Sequence, residues 1–203
     1  MMMDFWNYEK EAMAEGCALV CGCDEAGAGP LAGPVYAAAV ILPLGADIPG
    51  LDDSKKLTEK KREALFPVIQ DKALFWSVAW VDAKEIDKTD ILSARMHAMQ
   101  LAIDGLSQTP DFALIDGNRD HGRSASITTP HRCVVKGDSL SASIAAASIL
   151  AKVSRDRFMK EMAEQYPEYR FDKHKGYGTK LHYELLRANG PSPIHRRTFL
   201  KNL

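Results

Sequence analysis

Four acidic residues lie at the ends of three apolar, strand-like segments: Asp24, Glu25, Asp116 and Asp138. Binding sites in open α/β sheets form where strands finish, so we expect these side chains to meet. Such a cluster repels itself at neutral pH unless cations neutralise it, and carboxylate oxygens suit Mg²⁺ or Mn²⁺. Two such ions can orient an attacking water and stabilise the leaving oxygen of a phosphodiester. The pattern therefore indicates metal-dependent hydrolysis of nucleic acid.

Each acid also has a simpler interpretation. Asp116 precedes Gly117, and this dipeptide is common in turns. Asp138 could cap the helix that follows it, and Asp24 and Glu25 could form an exposed pair in a loop. Adjacent strand residues face opposite sides of a sheet, so this pair shares one site only if the strand ends or twists there.

The elements that must position these acids are predicted from apolar periodicity and turn residues. The predicted strands are Ala18–Cys23, Val35–Leu42, Leu74–Val81, Phe112–Ile115 and Arg132–Val135. The predicted helices run from an N-cap at Thr58 to about Gln70, over Ile91–Leu106, from Ser139 to about Gln165, and over Lys180–Ala188.

This order predicts an α/β fold with a mixed five-stranded sheet flanked by helices. The first part of the sheet should be antiparallel and the later part parallel. No linker divides the chain, so we expect a single domain over residues 1–203, in which residues from about 166 to 203 form a C-terminal helical extension.

Charge is unevenly distributed along the chain, although its net value is only −1. Residues 1–50 hold seven acids and one base, whereas residues 168–203 hold eight bases and three acids. A basic region opposite an acidic one suits a phosphate-binding surface beside a metal-binding one. The longest apolar run, Val35–Leu44, has ten residues, too few to span a bilayer. We expect a cytoplasmic protein with no membrane partner and, by default, a monomer.

The cysteines are interpreted as free thiols. Cys17, Cys21 and Cys23 lie close together, but no second Cys-x-x-Cys pair accompanies them, as a zinc knuckle would require. Free cysteine packs as a small hydrophobe, which fits a buried strand better.

Several blocks of this sequence, taken together, resemble the bacterial ribonuclease HII family. The opening block is Cys21 to Pro30 (CGCDEAGAGP), followed by Gly33-Pro34. The remaining blocks follow in family order: Asp53 to Leu57 (DSKKL), Leu114 to Asn118 (LIDGN), Val134 to Ser139 (VVKGDS), Ala146 to Val153, His174 to Tyr177 (HKGY) and His195 to Arg197 (HRR). The resemblance covers nearly the whole chain.

The resemblance implies a ribonuclease H-like fold and an endonuclease. Such an enzyme cuts the RNA strand of RNA–DNA hybrids and nicks 5′ of ribonucleotides embedded in duplex DNA, leaving a 3′-hydroxyl and a 5′-phosphate. It implies Mg²⁺ or Mn²⁺ in a two-metal-ion mechanism. The family's metal-binding and catalytic acids fall on the four carboxylates already singled out: Asp24, Glu25, Asp116 and Asp138.

The resemblance also implies residues that contact the duplex. Tyr177 falls on the tyrosine that packs against the sugar beside the RNA-to-DNA junction, and the loop Gly27-Ala28-Gly29 is a second candidate for reading the 2′-hydroxyl. Candidate phosphate contacts are Lys55, Lys56, Lys152 and Lys175, although surface lysines without a role would look the same. His174 and His195 are interpreted as structural histidines rather than proton shuttles.

One position departs from the family. Ala28 lies where the family has arginine between two glycines, so a cationic contact is lost. We expect hydrolysis to be retained, with weaker binding of the duplex or a blurred preference for a single embedded ribonucleotide. The related ribonuclease HIII branch fits less well. It carries an extra N-terminal domain, whereas about seventeen residues precede the first predicted strand here, and it usually has Glu in place of Asp138.

Two other functional classes are compatible with parts of the pattern. A non-catalytic module could bind hybrid duplex on the same fold, but four acids gathered near phosphates have little purpose without metal. A small-molecule phosphatase or kinase would predict a nucleotide cradle, and residues 27–30 lack the lysine and spacing of a P-loop.

Overall fold

The protein is described here from a computed structural model that covers residues 4–201. Its centre is one five-stranded sheet. The strands are β1 (Val20–Ala26), β2 (Val35–Ile41), β3 (Phe75–Val81), β4 (Phe112–Asp116) and β5 (His131–Val134). The helices are α1 (Asn7–Ala14), α2 (Glu59–Lys72), α3 (Ala83–Lys88), α4 (Ile91–Asp104), α5 (Ala142–Gln165), α6 (Phe171–His174) and α7 (Lys180–Asn189).

The sheet has the strand order β3-β2-β1-β4-β5. β2 pairs antiparallel with both β1 and β3, whereas β4 pairs parallel with both β1 and β5. The predicted mixed sheet, antiparallel first and parallel later, is therefore confirmed. The parallel half carries the strand ends from which the candidate acids come.

Helices cover both faces of the sheet. α5 and α2 pack on one face and α4 on the other, each against its own cluster of buried apolar side chains. α5 approaches β1 closely because Gly22 has no side chain: a Cβ there would lie 2.2 Å from the backbone carbon of Ser143. The Ala-rich first turns of α5 are buried against this strand, because their small side chains permit the close approach.

Two element boundaries differ from the prediction in ways that matter for the site. β1 extends to Ala26, because its ladder with β2 continues past Cys23 and pairs Asp24 with Ala38. α5 begins only at Ala142, because residues Gly137–Ser139 form a 3-10 turn and the side chain of Ser141 caps the helix. The interpretation of Asp138 as a helix cap is therefore wrong.

Three short helices were not predicted: α1, α3 and α6. The other predicted helices and strands are present with small shifts at their ends. In α7, Thr179 accepts the capping hydrogen bond and Gly190, at φ +70°, ends the helix.

The predicted helical extension packs against the C-terminal half of α5. Met159 and Met162 of α5 form a buried cluster with Tyr169, Phe171 and Leu186. Residues 202 and 203 of the predicted extension lie outside the described residues. Within residues 4–201, no helix is long and apolar enough to cross a membrane.

Candidate metal centre and nucleic-acid cleft

Three of the predicted acids meet at one edge of the sheet. Carboxylate oxygens of Asp24, Asp116 and Asp138 all lie within 4.8 Å of one another. Asp24 and Asp138 are each 4% exposed, whereas Asp116 is partly buried. The three come from β1, the end of β4, and the turn before α5.

The sheet register brings these residues together. Cys23 of β1 pairs in parallel with Ile115 of β4, so the next residue on each strand is an aspartate. After β5, Lys136 adopts a left-handed conformation at φ 58° and turns the chain back toward this edge. The backbone N–H of Asp138 then donates a 3.3 Å hydrogen bond to Asp116 Oδ1.

Burial and mutual repulsion disfavour the ionised forms of this cluster. Burial first, then the charges of Glu25 and Asp116, raises the pKa of Asp24 well above its usual range. Burial and then the charge of Asp138 raise the pKa of Asp116. A nearby cation would relieve both effects.

Lys55 provides positive charge at this site. Its Nζ lies 2.9 Å from Asp138 Oδ2, and its side chain is 75% exposed. Burial works against the ammonium, but the hydrogen bond to Asp138 and the attraction of that carboxylate outweigh it and raise the pKa of Lys55. One lysine does not balance three carboxylates, so the site retains a capacity for cations.

Glu25 lines the same cleft but stands apart from the three aspartates. β1 continues through Ala26, so the side chains of Asp24 and Glu25 leave opposite faces of the sheet. Arg95 of α4 holds Glu25 Oε1 at 2.6 Å. The other oxygen, Oε2, is buried and has no hydrogen-bond partner among residues 4–201.

This donor set fits a divalent ion with a preference for hard ligands. The three clustered side chains offer only carboxylate oxygens, and Glu25 contributes one more buried oxygen that lacks a partner. Mg²⁺ and Mn²⁺ favour such ligands, whereas zinc and copper sites usually include nitrogen or sulfur.

The glycine loop beside the acids is held by one buried arginine and packs against another. Arg196 donates to the carbonyl oxygens of Gly27 and Ala28 at 2.6 and 2.8 Å. Gly27 has φ +95°, and a Cβ there would lie 2.0 Å from Nε of Arg155. A Cβ at Gly29 would meet no other described atom within 4 Å, so that side of the loop is open to a ligand.

Two of the predicted duplex contacts, Tyr177 and Lys152, line the same cleft as the acids. Tyr177 is 42% exposed, and Nζ of Lys152 lies 5.9 Å from the centre of its ring. Lys152 also pairs with Asp156 at 2.7 Å. With Lys55 and the glycine loop, these side chains bring positive charge and an aromatic ring into a cleft that also holds carboxylates.

The other two predicted lysines are not among the described residues that line the cleft. Lys56 bonds to Asp52 and, at 3.2 Å, to Ser139 Oγ, next to Asp138. The ammonium of Lys175 turns back and donates to the carbonyl oxygen of Asp172. Its left-handed backbone, at φ 50°, belongs to the turn that presents Tyr177.

Comparison with known proteins agrees with this geometry. A family model described as "Ribonuclease HII" matches residues 21–202. The chain belongs to the ribonuclease HII family. It is therefore an endoribonuclease that acts on RNA–DNA hybrids, as its sequence blocks implied.

Individual relatives match over almost their whole length. The ribonuclease HII of Caldicellulosiruptor saccharolyticus is 50% identical over 200 residues, covering 98% of this chain and 96% of the relative. That of Idiomarina loihiensis is 54% identical over 181 residues, covering 89% and 95%. The solved ribonuclease H2 of Pyrococcus horikoshii OT3 has a TM-score of 0.72 at 27% identity, covering 89% of this chain and 93% of that one. The predicted ribonuclease H-like fold is confirmed.

Sequence reasoning missed the arginines that shape this ribonuclease HII site. Arg196 was counted in the basic surface, but it is fully buried and donates to loop carbonyls, so that part of the prediction is wrong. Arg155 is equally buried and donates to the carbonyl oxygens of Ala32 and Pro34. The spacing of Arg155 in the sequence could have revealed its burial. It falls at helical spacing with the buried residues Ala151, Met159 and Met162 of α5.

Three histidines of the extension are structural, in agreement with the interpretation of His174 and His195. Ser192 N–H donates to His195 Nδ1 at 2.9 Å, and Nε2 of His195 lies 3.0 Å from Nε2 of His182. Nδ1 of His182 lies 2.9 Å from the carbonyl oxygen of Tyr177. Neutral tautomers satisfy all of these bonds: Nε2–H of His195 donates to Nε2 of His182, and Nδ1–H of His182 donates to the carbonyl oxygen of Tyr177. The backbone of Tyr177 is thereby fixed to the core of the extension.

Proposed function

We propose that Asp24, Asp116 and Asp138, together with Glu25, hold divalent ions and that the enzyme uses them to hydrolyse the RNA strand. The observation that carries this proposal is the meeting of two buried carboxylates and one partly buried carboxylate within 4.8 Å, beside a fourth with an unpartnered oxygen. When bound, the two ions activate the attacking water and neutralise charge on the departing 3′-oxygen. The products are a 3′-hydroxyl and a 5′-phosphate.

The protein's own groups then position the substrate. Asp24 and Asp116 are adjacent across the parallel ladder and face the cleft together, which makes them the central ligands. The ammonium of Lys55 neutralises Asp138, and its side chain is 75% exposed at the cleft. A substrate phosphate would replace the Asp138 carboxylate as the partner of this ammonium. No side chain needs to act as a nucleophile in this scheme.

RNA is distinguished from DNA by the 2′-hydroxyl, which both donates and accepts hydrogen bonds. Tyr177 supplies a half-exposed aromatic face for the sugar at the junction, and the loop at residues 27–29 supplies backbone groups held in place by Arg196. We place the nick on the 5′ side of a ribonucleotide embedded in duplex DNA. Lys152 is the phosphate contact within the cleft, and Lys56 and Lys175 are outer contacts.

A nicking assay tests the proposal. A DNA duplex with one ribonucleotide is incubated with the enzyme and Mg²⁺, Mn²⁺ or a chelator, and the products are resolved with end-specific labels. We expect a single 5′ nick with either ion and none with the chelator. Binding without cleavage in both metals would instead identify a non-catalytic hybrid-binding module.

We further propose that residues 1–203 act as one domain, in the cytoplasm and as a monomer. The packing of α6 and α7 on α5 supports a single folding unit, because the cluster of Met159, Phe171 and Leu186 joins the extension to the rest of the protein. Light scattering during size-exclusion chromatography tests the oligomeric state, and one calorimetric transition is expected for one domain.

A further inference from the structure

A second group of metal-ligating atoms lies outside the carboxylate cleft. An oxygen of Asp120, a ring nitrogen of His131 and the sulfur of Cys133 all lie within 4.8 Å of one another. His131 and Cys133 are alternate residues of β5, so their side chains leave the same face of this edge strand. Asp120 comes from the connection between β4 and β5, and all three residues are partly buried.

The hydrogen bonding of His131 leaves one nitrogen available as a ligand. Nδ1 lies 2.7 Å from the carbonyl oxygen of Thr129, which can only accept, so Nδ1 carries the proton. In the neutral ring, Nε2 therefore presents a lone pair, and it faces Asp120 Oδ2 at 3.1 Å. Two acceptors at this distance repel each other unless a proton or a metal ion lies between them.

This arrangement is the one found around metal-binding histidines. Such a residue usually donates its second N–H to a backbone carbonyl, and this bond fixes the ring orientation and tautomer. Tetrahedral bonds of about 2.0–2.1 Å place nitrogen and oxygen ligands about 3.3 Å apart, close to the observed separation. A single proton would satisfy the nitrogen and oxygen, and the sulfur would then serve only to pack against the apolar cluster between the sheet and α4.

A second imidazole adjoins the group. Nδ1 of His121 lies 2.6 Å from Asp120 Oδ1, on the carboxylate oxygen that does not face His131. A thiol that coordinates a metal ion is deprotonated, so Cys133 would bind as a thiolate.

We propose that Asp120, His131 and Cys133 form a second metal site, which takes a borderline or soft divalent ion such as Zn²⁺. One oxygen, one nitrogen and one sulfur suit zinc and not magnesium. The fourth position is filled by water or by His121, whose ring nitrogen already lies 2.6 Å from Asp120. A bound ion would link Asp120, in the β4–β5 connection, to His131 and Cys133 on the edge strand β5. This link would restrict the motion of the segment that follows Asp116.

Cobalt(II) is the probe for the experiment, because its thiolate complexes absorb in the near ultraviolet and visible. The full-length enzyme is stripped with chelator, kept reduced, and titrated with Co²⁺ and then with Zn²⁺. We expect cobalt–thiolate absorption at one equivalent that Zn²⁺ abolishes. We also expect Zn²⁺ to raise Tm.

Variants assign the signal. Cys133→Ser should remove the thiolate absorption and weaken Zn²⁺ binding at least about tenfold. Cys17→Ser, at another partly buried thiol, is the matched control and should change neither. If Cys133→Ser fails to fold, Asp120→Asn serves instead. Its side chain is 44% exposed, so we expect this variant to fold normally and to bind Zn²⁺ more weakly.

The result that overturns the proposal is a folded wild-type enzyme without cobalt–thiolate absorption, or an absorption that survives Cys133→Ser. In the first case a proton on His131 accounts for the contact with Asp120. The outcome is independent of the carboxylate site, because Asp116→Asn should leave the cobalt signal intact whether or not that variant cleaves RNA.

Discussion

The three clustered aspartates are costly to the folded protein in the absence of cations. Asp24 and Asp116 each have a raised pKa, and repulsion by neighbouring carboxylates contributes to both shifts. The same charges that weaken the apo protein are those that we propose to bind metal. The charges needed for activity therefore lower the stability of the metal-free protein. A single substitution that removes one charge should lower activity without lowering that stability.

Asp116→Asn removes a charge from the cluster and keeps its shape. We expect the variant to fold, to lose turnover roughly a hundredfold or more, and to lose the Mg²⁺-induced rise in Tm. In chelator its Tm should be at or above that of the wild type, because repulsion is reduced. Asp47→Asn, at an exposed acid, is the control for both measurements. An Asp116→Asn enzyme that cleaves normally in Mg²⁺ would contradict the assignment of this residue.

Ala28 tests the missing arginine of the glycine loop. Its backbone carbonyl is held by Arg196 and its side chain is partly exposed at the cleft, so a longer side chain can extend toward the duplex. We expect Ala28→Arg to tighten hybrid binding several-fold and to steepen the salt dependence by about one phosphate unit. Ala28→Gln, similar in length and uncharged, should do neither. Equal salt slopes for the two variants would show that the added charge does not reach a phosphate.

At the scale of elements, the contact between β1 and α5 positions the site. α5 lies against Gly22, and two residues later β1 places Asp24 on the same face. Asp138 lies in the turn that leads into the same helix. A change in the helix-to-strand distance would therefore separate two of the carboxylates.

Gly22→Ala probes this contact. Its Cβ would lie 2.2 Å and 2.3 Å from backbone atoms of Ser143 and Ile144, which have no freedom to turn away. We expect unfolding free energy to fall by about 3 kcal/mol, at the upper end for added volume in a packed core. Gly29→Ala, where a Cβ would meet no other described atom within 4 Å, should change stability little. Chemical denaturation of both variants gives the comparison, and equal stabilities would mean that the helix can move.

At the scale of the whole molecule, the extension completes the nucleic-acid cleft. Arg196 reaches back to the glycine loop, more than 160 residues earlier in the chain. His182 holds the backbone of Tyr177 from within the extension. Burial is the main cause that lowers the pKa of His182 and of His195 to about 4, so both rings are neutral in the native protein.

These histidines make stability depend on pH. Unfolded histidine has a pKa of about 6.5, so between roughly pH 6.5 and 4 the unfolded state binds more protons, and the histidines lower stability as pH falls. The raised pKa of Asp24 and Asp116 acts with the opposite sign. The histidine contribution must therefore be obtained as a difference between wild type and variant.

His195→Gln should make the slope of unfolding free energy against pH less positive in this window, by up to about one proton. Urea denaturation at several pH values measures the slope for each protein. His97→Gln, at an exposed histidine, is the control and should leave the slope unchanged. Identical slopes for His195→Gln and wild type would show that His195 is not the source of the pH dependence.

The sequence by itself determined the elements and the chemistry. Apolar periodicity located the five strands and the longer helices, and spaced family blocks predicted a site made of the four acids, the glycine loop and Tyr177. These features are local, because periodicity and turn residues act within a few positions of the chain. Short helices such as α1 and α3 were missed, since their formation depends on packing more than on propensity.

Only the tertiary structure decided which polar residues meet in the cleft, which pair with each other and which are buried. It brought Asp24, Asp116 and Asp138 together but left Glu25 on the other face with Arg95, because β1 runs on through both acids. It buried Arg196, which by sequence alone was one more surface base. Burial and the choice of partner depend on residues distant in the chain, and a single sequence does not encode those contacts in its local pattern.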